Sequence, residues 1–327
     1  MVCSALRPSF AALVVGLLAG SQVACLGRIA TGAAANALAG SGTVYSSDED
    51  PELVKEAIPF GLKTMESVLA ERPEHRGLLL ALTQGFTSYA YGFIEEEAFK
   101  IEVRDMEEAE RMTARARKLY ARALAYGFRN LNERIEGFEE RFTEEPAKVL
   151  AELDVEDVPI LYWTGAAWGL MINASELDPA MVAQFPAVTQ MVDRAMELDE
   201  DWDRGSLHDF KVVLESARPG GSLDEAERHY RRALELNGGV RAGTYVGFAE
   251  SICIPRQDGA AFVDALNKAL AVDLESNPAE RLNNVINQRR ARLLLDRSGD
   301  LFLDDPLASD ESTVRVRTSN LLDGPSS

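Results

Sequence analysis

Between Asp50 and Asp300 no valine, isoleucine or threonine run alternates with polar residues over the length of a strand. That absence limits the fold more than any motif does, because a half-buried strand needs a two-residue period. Alanine, leucine and glutamate dominate instead. Breakers come in clusters at Arg72-Pro73, Glu145-Pro146, Asp178-Pro179, Arg218-Pro219-Gly220-Gly221, Asn237-Gly238-Gly239, Ile254-Pro255 and Asn277-Pro278. The stretches between them have ordinary helix lengths, so the chain reads as all-α. Asp50-Pro51-Glu52 marks the first long helix: a capping carboxylate, a proline suited to the first turn and an acid at the positive end of the helix dipole.

The helices repeat. Ala226, Tyr230, Ala233 and Leu234 follow the Ala-x3-aromatic-x2-Ala-Leu spacing of the second helix of a tetratricopeptide repeat, and Ala116, Tyr120, Ala123 and Leu124 share it. Looser copies end at Val68-Leu69, Ala195-Met196 and Ala269-Leu270. Small alanines at this spacing let neighbouring helices approach, and the aromatic fills the gap between hairpins. The expected architecture is an array of helical hairpins with degenerate tetratricopeptide-like repeats over residues 51–305.

Two segments are apolar nearly all round: 77–94, with Phe86, Tyr89, Tyr91 and Phe93, and 159–173, with Tyr162, Trp163 and Trp168. Such helices are buried or packed on both sides, and both are shorter than the ~20 residues of a membrane span. Gly165 and Gly169 share a face that another helix can approach closely. Innermost packing is the plain account, and a lined cavity for an apolar ligand is the sharper one. On the second account Phe86, Tyr89, Trp163 and Trp168 are the ligand-binding candidates, with His208 as a polar contact at the rim. Trp163 and Trp168 lie about 140° apart around the helix, so at least one belongs to the core.

The ends read as an address. Arg7, an apolar run from Phe10 to Leu18, and Val23-Ala24-Cys25 form a signal peptide over 1–24 with a lipid attachment site at Cys25. Acyl chains contribute about 0.8 kcal/mol per buried methylene, enough to hold the mature chain at a membrane. Residues 25–50, rich in Ala, Gly and Ser, read as a flexible tether, and 306–327 as a disordered tail. With Cys3 in the leader and Cys25 lipidated, Cys253 stands alone as a buried, inert thiol. The formal charge of -19 repels nucleic acid and anionic headgroups, so neither is expected as a partner.

Catalytic constellations are missing. His75, His208 and His229 do not lie at metal-ligand spacing, and the sequence has neither a phosphate-cradling glycine loop nor a Gly-x-Ser-x-Gly elbow. The acid runs Glu95-Glu96-Glu97 and Glu107-Glu108 read as solvated helix faces. No enzyme activity and no cofactor are expected.

Several segments, in order, resemble the T-component (TatT) family of TRAP transporters. They are Gly40 to Val54, the tryptophan segment 162–173, Asp201-Trp202-Asp203-Arg204-Gly205-Ser206-Leu207-His208, Gly220 to Tyr230, and Arg281-Leu282-Asn283-Asn284 through Leu295. The resemblance implies a periplasm-facing lipoprotein that associates as a homotrimer, binds the solute-binding subunit of a TRAP system and handles a hydrophobic solute. Leu26 after the lipid cysteine leans the expectation towards the outer membrane. The alternative is a general tetratricopeptide scaffold for envelope assembly, which would show filled hairpin interiors in place of a cavity.

Overall fold

The computed structural model describes residues 35–40, 42–175 and 178–308; the leader, Cys25 and residues 309–327 lie outside them. All regular structure among the described residues is helical. After a short helix α1 (Gly42–Ser46), Asp50 caps α2 (Pro51–Glu71) by accepting from the amides of Glu52 and Leu53 at 3.0 and 3.1 Å. His75 caps α3 (Arg76–Tyr89) through Nδ1, which accepts from the Leu78 amide at 3.1 Å. That fixes the proton on Nε2, which donates to Asn36 Oδ1 at 3.1 Å.

The described part of the expected tether is therefore docked. Residues 35–39 are helical, Ala35 is fully buried, and Asn36 is tied to the start of α3. Small residues that suggest a linker here serve close packing instead.

The chain continues through α4 (Glu96–Ile101), the 29-residue α5 (Met106–Arg134), α6 (Phe138–Glu144), α7 (Pro146–Leu150), α8 (Val158–Asn173), α9 (Pro179–Val182) and α10 (Phe185–Leu198). Next come α11 (Ser206–Ala217), α12 (Leu223–Asn237), α13 (Ala242–Phe248), α14 (Ile254–Arg256), α15 (Gly259–Ala271), α16 (Arg281–Asp296) and α17 (Ser298–Leu301). Neighbours pack as hairpins: α2 on α3, α3 on α5, α11 on α12, α15 on α16.

Helix α8 is the hub, in contact with α3, α5, α10 and α11. Its glycines set how closely. A methyl on Gly165 or Gly169 would lie 3.3–3.5 Å from the Phe210 ring, so the ring of α11 rests on the groove those glycines leave. Gly127 of α5 makes room for Thr164 in the same way: an added Cβ there would come within 2.4 Å of the threonine hydroxyl. At its start, buried Asp157 accepts from Arg76 of α3 (2.7 Å) and Arg134 of α5 (3.1 Å), joining three helices at one carboxylate.

The array also closes on itself. Helix α16 returns to the beginning of the chain, where Arg289 pairs with Glu52 at 2.6 Å and Arg297 donates to the Phe99 carbonyl at 3.0 Å.

Both well-matched copies of the alanine pattern are buried. Ala116, Tyr120, Ala123, Ala226 and Ala233 are fully enclosed, and Tyr230 stacks on Phe248 with centroids 4.1 Å apart. Gly205 presses against the backbone of Ala233, where an added Cβ would come within 3.1 Å. Ala233→Trp should therefore overpack the α11–α12 hairpin and cost about 1–3 kcal/mol, read as a lowered denaturation midpoint. An unchanged midpoint would mean that this site is not closely packed.

Candidate functional site

Two helices widen at equivalent words of sequence. After α3 the backbone makes a π segment, Ala90–Glu95, and after α13 it makes another, Ala249–Cys253. Gly92-Phe93-Ile94-Glu95 lies within the first, and Gly247-Phe248-Ala249-Glu250 runs into the second. A π turn adds a residue to the helical repeat, so the side chains that follow are re-aimed, and such turns gather at functional sites.

Arg290 of α16 joins them. Its Nε and Nη2 donate to Glu250 Oε1 at 3.0 and 2.6 Å, and its Nη1 reaches Glu96 Oε2 at 3.4 Å. The guanidinium lies 3.5 Å from the centroid of Phe99, a cation–π contact shared with Arg297 at 4.1 Å. Tyr91 projects from the first π segment with 51% of its surface exposed. Even so, burial pushes its phenol well above the ordinary value. A side chain that water reaches while protein surrounds it on most sides stands in a recess. Glu95, on the same segment, is raised to about 7 by burial, against the opposing pull of Tyr120 and Arg290. The Tyr120 phenol beside it is fully buried and is raised well above its ordinary value by burial and by Glu95.

A second group lies around Tyr162, whose phenol is raised by burial, Asp209 and Asp203, with a smaller influence from Tyr91. Asp209 of α11 accepts from the Thr244 hydroxyl at 3.1 Å and is raised to about 7 by burial, opposed by Thr244 and Arg241. Arg241 is 8% exposed and pairs with Glu280 at 2.5 Å and with Asp203 at 3.1 Å. Asp203, Arg204 and Gly205 all have positive φ (46°, 54° and 97°), a strained turn for the two non-glycine residues. Arg241 Nη1 donates to the Asp203 carbonyl (2.7 Å) and to Ser206 Oγ (2.8 Å), and the Asp203 carboxylate accepts from Ser206 at 2.6 Å, which holds the turn.

The five ligand candidates named from sequence are not gathered around this recess. Phe86 and Tyr89 are 4% and 7% exposed in the core beneath α3, with Phe86 stacked on Tyr126 and Tyr89 against Phe93. Trp168 sits in a different core cluster between Phe128 and Phe142, its indole N–H donating to Gln184 at 2.8 Å. Trp163 is partly buried, edge-on to Tyr162. Two outer depressions, about 220 Å³ beside Leu150 and Arg194 and about 330 Å³ beside Ser298 and Asp305, involve none of the five. The expectation for the acid run needs correction: Glu95, Glu96 and Glu97 are all partly buried, the first two with their carboxyls raised by burial and the third 3.9 Å from Lys55. The repeated Gly-Phe-x-Glu was the available sequence signal.

His208, the fifth candidate, is 5% exposed and pairs with His229, Nδ1 to Nδ1, at 2.8 Å. One ring must donate and the other accept. His208 Nε2 is buried without a partner, which is cheaper for a bare nitrogen than for an N–H, so His208 is the donor. Among the described residues no group of three ligand-type side chains could hold a metal. Burial, His208 and Lys211 push His229 down from 6.5 to about 4. The unfolded chain then binds protons that the folded chain refuses, so stability should be full above about pH 6.5 and fall as the pH drops towards about 4. Replacing both histidines with glutamine should flatten that slope in acid denaturation followed by circular dichroism. A slope that survives the double substitution would place the titration elsewhere.

Comparison with known proteins assigns the fold a family. Residues 47–302 match the family described as TRAP transporter T-component. An uncharacterized protein of Treponema pallidum (strain Nichols) is 30% identical over 268 residues, which cover 80% of this chain and 83% of that protein. With a family match over more than half of its length, the chain belongs to the TRAP transporter T-component family.

Proposed function

We infer that this protein is the periplasm-facing, lipid-anchored component of a TRAP-type solute uptake system, docking onto the solute-binding subunit and receiving solute in the recess between its π segments. The family is one of accessory transport components, not of enzymes. The observation that carries the reading is Tyr91, half exposed on the first π segment, with its phenol raised by burial and under the electrostatic influence of Glu250, Arg290, Glu95 and Glu96. A solute recess carries a few convergent polar groups with perturbed ionisation, and the raised carboxyls of Glu95 and Asp209 support the reading. Aromatic faces at Tyr91 and Tyr162 suit the apolar part of a solute. Leu53 and Phe60, seven apart on α2 and 57% and 79% exposed, offer an apolar face for a partner subunit. The homotrimer and the tetratricopeptide-like ancestry belong to the same reading.

Membrane attachment is assigned to acylated Cys25. Among the described residues no helix is long and apolar enough to cross a membrane. Cys25→Ser should move the protein from the membrane pellet to the soluble periplasmic fraction, because lipid chains would supply nearly all of its membrane affinity. A variant that still pellets would rule the anchor out.

Docking is tested by affinity purification of the full chain from native membranes, followed by mass spectrometry. The solute-binding subunit of a TRAP system should be recovered, and Phe60→Asp should reduce its recovery. Recovery of envelope assembly proteins alone would favour the scaffold reading.

A further inference from the structure

One helix reverses the sign of the surface. The chain holds 53 acidic against 34 basic residues, yet from Arg111 to Asn132 helix α5 carries six cations and no acid. Five of the six fall on one line. Arg111, Arg115, Lys118, Arg122 and Arg129 are three, four or seven apart, so at about 100° per residue they keep within about 60° of arc around the helix. At about 1.5 Å per residue the row is about 27 Å long. Arg111, Arg115, Lys118 and Arg122 stand exposed, and Ala121 and Ala125 beside them are too small to cover them.

The fold accounts for only part of the row. Arg111 pairs with Glu107 and Glu108, Arg122 pairs with Glu66 of α2 and stands over the Phe86 ring, and Arg129 donates to the Pro73 carbonyl at 2.5 Å. Among the described residues, Arg115 and Lys118 have no carboxylate within ion-pairing distance, and neither does Arg117 on the flank. Like charges three and four apart weaken a helix, and no contact within the chain offsets that repulsion at the middle of the row. Charged helix faces are ordinary where acids alternate with the cations, and here none does.

We propose that the α5 ridge is a docking face for a protein partner that presents a row of carboxylates, with Arg115 and Lys118 at its centre. Charge complementarity selects the partner: unpaired cations in a line along a helix match acids at the same three-and-four spacing on a helix of another protein. A membrane is a poorer fit. Helices that lie on lipid set Trp, Phe or Leu beside their cations, whereas Ala121 and Ala125 flank this ridge. A bilayer of anionic lipid would also face the remaining acids of the chain. The Glu66–Arg122 pair places the ridge next to α2, whose outer face carries Leu53 and Phe60. The solute-binding subunit is one bearer of such a row, and for that subunit the proposal rests on the docking reading above.

The test titrates the full chain with poly-L-glutamate, with phosphatidylglycerol vesicles and with a purified TRAP solute-binding subunit. Poly-L-glutamate should bind despite the net charge of -19, and should be released as salt rises from about 50 mM to about 300 mM. Arg115→Glu with Lys118→Glu should weaken that binding, and binding of the subunit, by about tenfold or more. Lys148→Glu with Arg292→Glu makes the same change in net charge at exposed cations away from α5, and should alter either by about twofold at most. The ridge variant should keep the parent's circular dichroism melt, since its new acids stand four residues from Arg111 and from Arg122. Poly-L-glutamate left unbound by the parent, or held equally well by the ridge variant, would overturn the proposal, and vesicle binding in its place would assign the ridge to lipid. A subunit that binds parent and ridge variant alike would remove the ridge from the interface while leaving the docking reading. A subunit that binds neither, with poly-L-glutamate still held by the ridge, would sink the docking reading and support the ridge as a face for another acidic protein.

Discussion

The fold depends on one close contact: the Phe210 ring of α11 lying on the glycine groove of α8. Helix α8 has no polar face, so its stability comes from being covered on every side. Four helices supply the cover, and three of them, α5, α10 and α11, meet α8 where a Cβ at position 127, 165 or 169 would touch the neighbouring helix. The same contact couples the two halves of the molecule. Phe210 is next to Asp209, and Tyr162 of α8 packs edge-on to Phe210 and against Trp202, so the packing that holds the array together also places one wall of the recess.

Much of this was legible in the sequence because helices declare themselves by period. Asp50 caps where a capping residue was expected, α8 spans the apolar stretch nearly to the residue, and the alanines at 116, 123, 226 and 233 are buried. The site was harder to read. Periodicity shows that Phe86, Tyr89 and Trp168 turn away from water, but it cannot say whether they turn towards protein or towards a ligand. In the structure they meet protein. Conversely, Glu95 and Glu96 look like ordinary solvent-facing acids until a π turn re-aims them, and that turn breaks the 3.6-residue period from which the inference was made. Residues 35–50 misled for a related reason, since alanine and glycine serve a linker and a tight helix contact equally well.

One strained turn of the backbone stands next to the recess. Asp203, Arg204 and Gly205 take left-handed conformations in succession, and two of the three have a Cβ that disfavours it. The turn persists because Arg241 binds its carbonyl, its carboxylate and the following serine together, while Arg204 reaches the Asn237 carbonyl at 3.2 Å. Arg241 therefore has two tasks. It neutralises the acids at one end of the recess and also fixes the backbone from which α11 departs, carrying Asp209 and Phe210 into position.

The π segments carry a consequence for how such a protein can change. Each amounts to an extra residue spliced into a helix, so removing one residue from Ala90–Glu95 would let α3 and α4 fuse into a regular helix. Because the wider turn takes up that residue by itself, everything beyond the cut would keep its place, Glu96 by Arg290 and Phe99 under its guanidinium, while the bulge that carries Tyr91 and Glu95 would close. The resulting chain would gain regular backbone hydrogen bonding and lose its recess. A lineage could thus exchange a recessed helical array for a sturdier one through the loss of a single codon, and recover it by the gain of one.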